Sequence, residues 1–341
     1  MKARIQARPY RLALSRPLAT AAGVIAERRG FWILAEDEEG RTGLGEAAPL
    51  PRFGTETVEE AARFLAGLSG WRTIEHDLTA APLSSRAGLD LARLDLEAQR
   101  AGVSLADHLS PRSKRTVSVN ALLRTEEPED LAAEAADAAA LGYGTLKMKI
   151  GAREPADDAR RFAAVRRRLG PGIRLRADAN RAWEAETALH ALRLLEPFGL
   201  EFVEEPARAG IEAIARVSPV PICADESVCS IETGRRLITE RSVPFLSLKP
   251  SLIGGISAAR RLAEEAHEAG IGVVITSALD TSVGVAGALH LAASLPWLDR
   301  ACGLATAGLL AGDPAEGLEA PSEGFLRVPQ GPGLGVRLGT R

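Results

Sequence analysis

Three short apolar runs in the middle of the 341-residue chain each end in a carboxylate. They are Leu175-Arg176-Ala177-Asp178, Phe202-Val203-Glu204 and Ile222-Cys223-Ala224-Asp225, and each stops where a helical pattern begins. Lys147-Met148-Lys149 comes before them and Leu248-Lys249-Pro250 after. Each piece alone has a plain reading. An Asp at a strand end caps a helix, Glu-Glu-Pro is a turn, and a lysine at a strand end is a surface cation. Together and in this order they describe a divalent cation held by Asp178, Glu204 and Asp225, with a lysine site on either side. Three carboxylate oxygens suit Mg²⁺, or Mn²⁺, with positions left for water and substrate. Without a cation, three converging carboxylates repel one another.

Such a site stabilises the enediolate formed when the carbon next to a substrate carboxylate loses a proton. A lysine acting as the base must be neutral for part of the time, and positive charge nearby favours that state. Lys149 is placed to reach the substrate, and Lys147 to tune it. Lys249 faces them across the cation, either as a second base or as a fixed charge. Arg176, Asn180, Gly254 and Ser277, all near strand ends, are candidates for substrate contacts.

These residues need strands that end together. Residues two apart on a strand share a face, so Lys147 pairs with Lys149, Arg176 with Asp178 and Ser247 with Lys249. From about residue 116 the sequence alternates strand and helix. Strands are expected at 116–122, 145–150, 174–178, 201–204, 222–225, 245–249, 272–276 and 301–304. Amphipathic helices are expected at 128–141, 157–169, 184–195, 230–238 and 258–269. Strands alternating with helices in this way predict an α/β fold, a (β/α)8 TIM-type barrel, in which catalytic groups gather at the C-terminal strand ends. A doubly wound open sheet is the rival, but no GxGxxG follows a first strand. Residues 1–112 read as an α+β capping domain. They hold strands at 5–14, 31–35 and 42–46, a capping box at Thr57-Val58-Glu59-Glu60, and a helix over 84–101. The barrel then covers 113–311. A tail at 312–341 returns to complete the cap, with a strand near 324–329.

Composition bounds the rest. Hydrophobic residues at 46% and charged residues at 26% are ordinary for a globular protein, and a net charge of −3 with no basic run argues against nucleic acid. Cys223, Cys229 and Cys302 form no CxxC pair, which fits a reducing cytoplasm. Neither a membrane span nor a signal peptide is expected. The five histidines fall in helices or loops and read as structural. Oligomeric state is left open, and a homo-oligomer is compatible with the sequence.

At Lys147-x-Lys149, Asp178-Ala179-Asn180, Glu204-Glu205-Pro206, Ala224-Asp225-Glu226-Ser227 and Lys249 the chain resembles the enolase superfamily, in its muconate-lactonising branch. It is most similar there to the o-succinylbenzoate synthases. Supporting stretches include Leu248-Lys249-Pro250-Ser251, Thr276-Ser277-Ala278-Leu279-Asp280-Thr281 and Cys302-Gly303-Leu304-Ala305-Thr306. Segments 17–23 and 47–54 are expected to be irregular, and 17–23 and 45–51 resemble the family's two substrate-covering loops, which adds Thr20 and Phe53 as candidate contacts. The resemblance implies a small carboxylate substrate and Mg²⁺. It further implies syn-dehydration of 2-succinyl-6-hydroxy-2,4-cyclohexadiene-1-carboxylate, with Lys149 as base and Lys249 as a cation over the ring.

The nearest rival is an N-acylamino-acid racemase or dipeptide epimerase on the same scaffold. It needs both lysines as bases, and spacing does not separate the two. A non-catalytic barrel serving as a binding module is a third reading, distinguished by the lack of a Mg²⁺-dependent thermal shift.

Overall fold

The structure is a computed structural model that describes every residue except 21–22, 69 and 340–341, and the backbone alone at 18–20 and 23. It begins with a long hairpin. β1 (Lys2–Thr20) and β2 (Gly23–Glu36) pair antiparallel from Arg4↔Glu36 to Thr20↔Gly23, with a register shift between Ala13 and Leu18. Segment 17–23, expected to be irregular, thus belongs in its described part to the hairpin. β3 (Thr42–Ala47) and β4 (Gly70–Thr73) complete the sheet in the order β3-β2-β1-β4.

Three helices back this sheet: α1 (Val58–Ala66), α2 (Ile74–Ala80) and α3 (Leu83–Ala101). The Thr57–Glu60 capping box starts α1 as its sequence predicts. β3 lies so close to α3 that side chains are excluded between them. A Cβ on Gly45 would stand 1.9 Å from the Gly88 carbonyl oxygen, and one on Gly43 would stand 2.1 Å from that of Ala92. Only glycine permits this approach. It sets the depth of Glu46, the next residue along β3.

After α4 (Leu105–Leu109) and β5 (Thr116–Ser118), the parallel strands run β6 (Ala121–Leu123), β7 (Thr145–Lys149), β8 (Arg174–Asp178), β9 (Phe202–Glu204), β10 (Ile222–Ala224), β11 (Phe245–Leu248) and β12 (Gly272–Ile275). The helices between and after them are α5 (Pro128–Ala140), α6 (Pro155–Leu169), α7 (Ala185–Leu195), α8 (Ile211–Val217), α9 (Ile231–Thr239), α10 (Ile256–Glu268) and α11 (Ser282–Ser294). Strand order follows chain order from β6 to β12 without reversal, which rules out the doubly wound alternative. Residues 301–304 supply the eighth position as bridges rather than a full strand. Cys302 pairs parallel with Val119 and Gly303 with Thr276, closing the ring.

Two expectations change. The strand expected at 116–122 is split, because β5 pairs antiparallel with β14 (Phe325–Arg327) and only β6 joins β7. The tail strand expected near 324–329 therefore forms against the barrel and not against the N-terminal sheet. The other tail strands, β13 (Ala315–Glu316) and β15 (Arg337–Leu338), pair with each other. The tail reaches the cap elsewhere, where Leu334 N–H donates to the buried Asp95 carboxylate of α3 at 2.7 Å.

Candidate active site

Barrel register brings the carboxylates together. Lys149, Asp178 and Glu204 are successive register partners across β7, β8 and β9. Asp225 directly follows β10, whose Cys223 registers with Glu204. All three acids are buried, at 2%, 2% and 5% exposure. Lys147 lies between two of them, its Nζ donating to Glu204 Oε2 at 2.5 Å and lying 2.8 Å from Asp178 Oδ2. Lys149 Nζ donates to Asp178 Oδ2 at 2.8 Å and to Asn180 Oδ1. Lys249 Nζ donates to Asp225 Oδ2 at 2.6 Å.

The backbone at these strand ends is unusual. Asn180, Arg181, Glu205 and Leu279 all have positive φ, between 39° and 63°. Such strain in non-glycine residues collects at functional sites. Glu205, at 39°, turns its buried carboxylate to accept the backbone N–H groups of Asp225 at 2.8 Å and Ser227 at 3.1 Å. Glu226 accepts from Asn180 Nδ2 at 2.9 Å, which fixes the amide whose oxygen receives Lys149.

Burial and charge act in opposition on these groups. Burial alone lowers Lys147, but Asp178, Glu204 and Asp225 outweigh it and hold the ammonium well above its usual range. Lys249 is raised in the same way by Asp225 and Glu226 against the pull of burial. Burial raises Asp178, yet Lys147 and Lys149 together hold it well below the carboxylate range. Glu204 moves up, because burial and the charges of Asp178 and Asp225 exceed the help from Lys147. Burial, with Asp225 beside it, lifts Glu226 to about 7.

The donor set can be tested for a divalent cation. Among the described residues no three acidic, imidazole or thiol groups already stand together as ligands. Instead Lys147 bridges Asp178 and Glu204, Lys149 pairs with Asp178 and Lys249 with Asp225, so positive charge is already gathered where a cation would go. Asp225 Oδ1 is buried without a hydrogen-bond partner, an orphaned acceptor that needs a cation or donor. Three hard oxygen donors with one orphan fit Mg²⁺.

Above this set lies a cavity of about 150 Å³ lined by Lys147, Lys149, Lys249 and the three acids. Asn180, Ser277 and Phe53 also line it, as expected from sequence. Two other expected contacts do not join them. Arg176 shares the face of Asp178 but is one pleat lower in the barrel, where it donates to Glu201 at 2.7 Å and to the Ala301 carbonyl at 2.7 Å. Gly254, at φ 92°, packs towards Arg86 and Leu83 of α3, because the turn after Lys249 leads away from the cavity. The Thr20 side chain lies outside the described residues.

Sequence reasoning missed other members of the wall. Ile25 comes from the return strand of the hairpin, Asn120 from the gap between β5 and β6, and Leu279, Thr306 and Leu309 from the barrel mouth. Glu205 was detectable as the second acid of Glu-Glu-Pro. No histidine lines the cavity. Cys223, Cys229 and Cys302 are free, and among the described residues no helix is long and apolar enough to cross a membrane.

Comparison with known proteins agrees with this geometry. Residues 130–340 match the family described as enolase C-terminal domain-like, and residues 3–96 match the MenC N-terminal domain. An o-succinylbenzoate synthase of Thermobifida fusca is 42% identical over 218 residues, covering 62% of this chain and 67% of that protein. An L-Ala-D/L-Glu epimerase of Bacillus subtilis is 29% identical over 85% of this chain and 84% of its own. A dipeptide epimerase of Enterococcus faecalis, solved with Mg and the dipeptide L-Leu-L-Tyr, superposes with a TM-score of 0.89 at 27% identity, covering 98% of this chain and 99% of that one. The barrel, its lysines and acids, and the matches over both parts of the chain lead to one conclusion: the chain belongs to the enolase superfamily and carries a MenC-type N-terminal domain.

Proposed function

We propose that the chain is a Mg²⁺-dependent lyase that dehydrates 2-succinyl-6-hydroxy-2,4-cyclohexadiene-1-carboxylate to 2-succinylbenzoate, a step towards menaquinone or phylloquinone. Asp178, Glu204 and Asp225 would hold the cation. The observation that carries this reading is the wall of the cavity. Among the described residues, every lining residue apart from the three lysines and three acids is neutral, and most are apolar. A dipeptide brings a free ammonium group, which would be desolvated there without an acid to receive it. A ring acid with a flexible tail brings none. The 42% identical synthase and the MenC-type domain support the same choice.

In the proposed reaction Lys149 Nζ takes the proton from the ring carbon that bears the carboxylate. It then returns that proton to the departing hydroxyl, so water leaves and the ring becomes aromatic. Of the three lysines, Lys149 has the most exposed side chain, 34% against 15% for Lys147 and 14% for Lys249, which suits a group that must reach and release a proton. When bound, Mg²⁺ supplies positive charge to the substrate carboxylate as it gains electron density. Lys249, pinned by Asp225, remains an ammonium group beside the ring. Asn180, itself oriented by Glu226, aims Lys149. Three free cysteines suit action in the cytoplasm.

A second reading is favoured by one observation. Lys149 and Lys249 both line the cavity, as racemisation of an N-succinylamino acid would require. The deciding experiment follows the ultraviolet band of the diene with protein and Mg²⁺, beside N-succinylphenylalanine in a polarimeter. Rapid loss of the band supports the lyase, and optical change as well makes it a dual enzyme. A silent band with fast racemisation overturns the assignment.

A further inference from the structure

Arg28 is 3% exposed and touches none of the cavity, yet it joins the two sides of the cavity's apolar wall. It sits on β2, the return strand of the hairpin. Its Nη1 donates to the Pro49 carbonyl at 2.9 Å, its Nη2 to the Ala48 carbonyl at 3.0 Å, and its Nε to the Leu279 carbonyl at 3.1 Å. Residues 48–50 form neither helix nor strand, and Ala48 and Pro49 are buried, so their carbonyls have no ladder to pair with. Buried carbonyls left unpaired are costly. Among the described residues the Arg28 guanidinium satisfies both and reaches across to the barrel.

What it ties is the substrate wall. Leu50 directly follows the two cap carbonyls, Phe53 stands at the end of the same loop, and both line the cavity together with Leu279, held at φ 59°. A short turn at Pro51–Phe53, ended by Gly54 at φ 91°, carries Phe53 over the cavity. A second contact runs beside the first. The buried Glu46 accepts from Thr281 N–H at 3.0 Å and Gly284 N–H at 2.8 Å at the start of α11. That contact fixes the domains to each other, whereas Arg28 fixes the loops. Its fork geometry suits this place, since three separate guanidinium nitrogens reach the carbonyls of two loops, whereas lysine gathers its donors on one nitrogen.

We infer that Arg28 is a positioning residue that clamps the cap loop 48–54 to the barrel loop at Leu279, and so sets the affinity for the organic ligand but not for the cation. The ligand-binding arm of this inference rests on the lyase reading above; the loop-ordering arm does not. The test compares wild type, Arg28→Met and Arg28→Lys. Binding of 2-succinylbenzoate and of Mg²⁺ is measured by calorimetry, and amide hydrogen exchange is measured on the ligand-free protein. Arg28→Met is expected to weaken 2-succinylbenzoate roughly tenfold or more while leaving Mg²⁺ affinity unchanged, with Arg28→Lys between the two. In the ligand-free protein the amides of Phe53 and Gly54 should exchange about tenfold faster in Arg28→Met, and those of β8 and β9 at the wild-type rate. If wild type fails to bind 2-succinylbenzoate, the lyase reading falls, and the exchange comparison still decides the clamp. Unchanged exchange at Phe53 and Gly54 overturns it. Equal loss of Mg²⁺ and ligand affinity also overturns it, as does a general rise in exchange through the barrel.

Discussion

Lys249 Nζ stands 5.3 Å from the centroid of the Phe53 ring. One residue ends a barrel strand and the other belongs to the cap loop, so the cavity is built from both parts of the chain. The ammonium faces an aromatic surface on one side and Asp225 on the other. A desolvated contact of this kind contributes about 1–2 kcal/mol. Phe53→Ala is therefore expected to raise KM for the diene acid roughly 5- to 30-fold with a smaller effect on kcat. Steady-state kinetics would show this, and a loss confined to kcat would remove Phe53 from ligand binding.

Arg176 makes a contrasting prediction. It is 1% exposed, paired with Glu201 and seated below the acids. Among the described residues, Arg176→Leu leaves Glu201 with the half-exposed partner Arg300 alone. Breaking a buried pair costs about 3–5 kcal/mol, so the variant should unfold at lower denaturant while KM of the folded fraction is unchanged. A selective rise in KM at normal stability would return Arg176 to the list of substrate contacts.

Gly45→Ala tests the seam between sheet and α3. The new Cβ would lie 1.9 Å from a backbone oxygen, which no rotamer relieves. Overpacking of this kind costs about 1–3 kcal/mol or more, and β3 must shift, taking Glu46 with it. The expected result in thermal unfolding is a lower Tm than for Gly40→Ala, whose Cβ meets nothing within 4 Å although its φ of +80° is itself unfavourable to alanine.

His290 anchors the tail. Its Nδ1 accepts from Ala106 N–H at 3.0 Å, and Nε2 contacts the Leu334 carbonyl at 2.9 Å as donor, an arrangement only the neutral ring satisfies. Burial pushes this histidine down to about 4, well below the ordinary imidazole value of about 6.5. Because the folded value is depressed, the contribution is full above about pH 6.5 and is lost as pH falls towards 4, where the unfolded chain gains the proton first. The span corresponds to about 3 kcal/mol. Urea unfolding of wild type and His290→Gln should therefore differ most at pH 7.5 and converge near pH 4.5. A constant difference would mean that the ring does not titrate on unfolding.

The sequence was most legible where local pattern and site coincide. The strand-end acids and the Lys-x-Lys pair could be placed because period-two alternation puts them on one barrel face. α5, α6, α7, α9 and α10 carry a one-sided apolar stripe, and each falls within two residues of its expected bounds. α11 carries no such stripe because it is buried on all sides, and the pattern that marks a half-exposed helix is missing. Arg176 misled because alternation gives the face of a strand but not the depth along it. Gly254 misled because a glycine near a strand end also serves a turn that leaves the site. Ile25 and Leu279 reach the cavity through the long hairpin and a left-handed backbone, neither of which has a local sequence signature.

The central claim is that Lys149 moves the proton and that Mg²⁺ is required for it to do so. It is tested most directly by the rate of loss of diene absorbance for wild type and Lys149→Ala, each with Mg²⁺ and with a chelator, alongside calorimetric Mg²⁺ affinity. The account predicts a fall of roughly 10²–10⁴ or more in kcat for Lys149→Ala with Mg²⁺ still bound, and no turnover by wild type in chelator. Turnover by Lys149→Ala within tenfold of wild type, or wild-type turnover that survives the chelator, would contradict it.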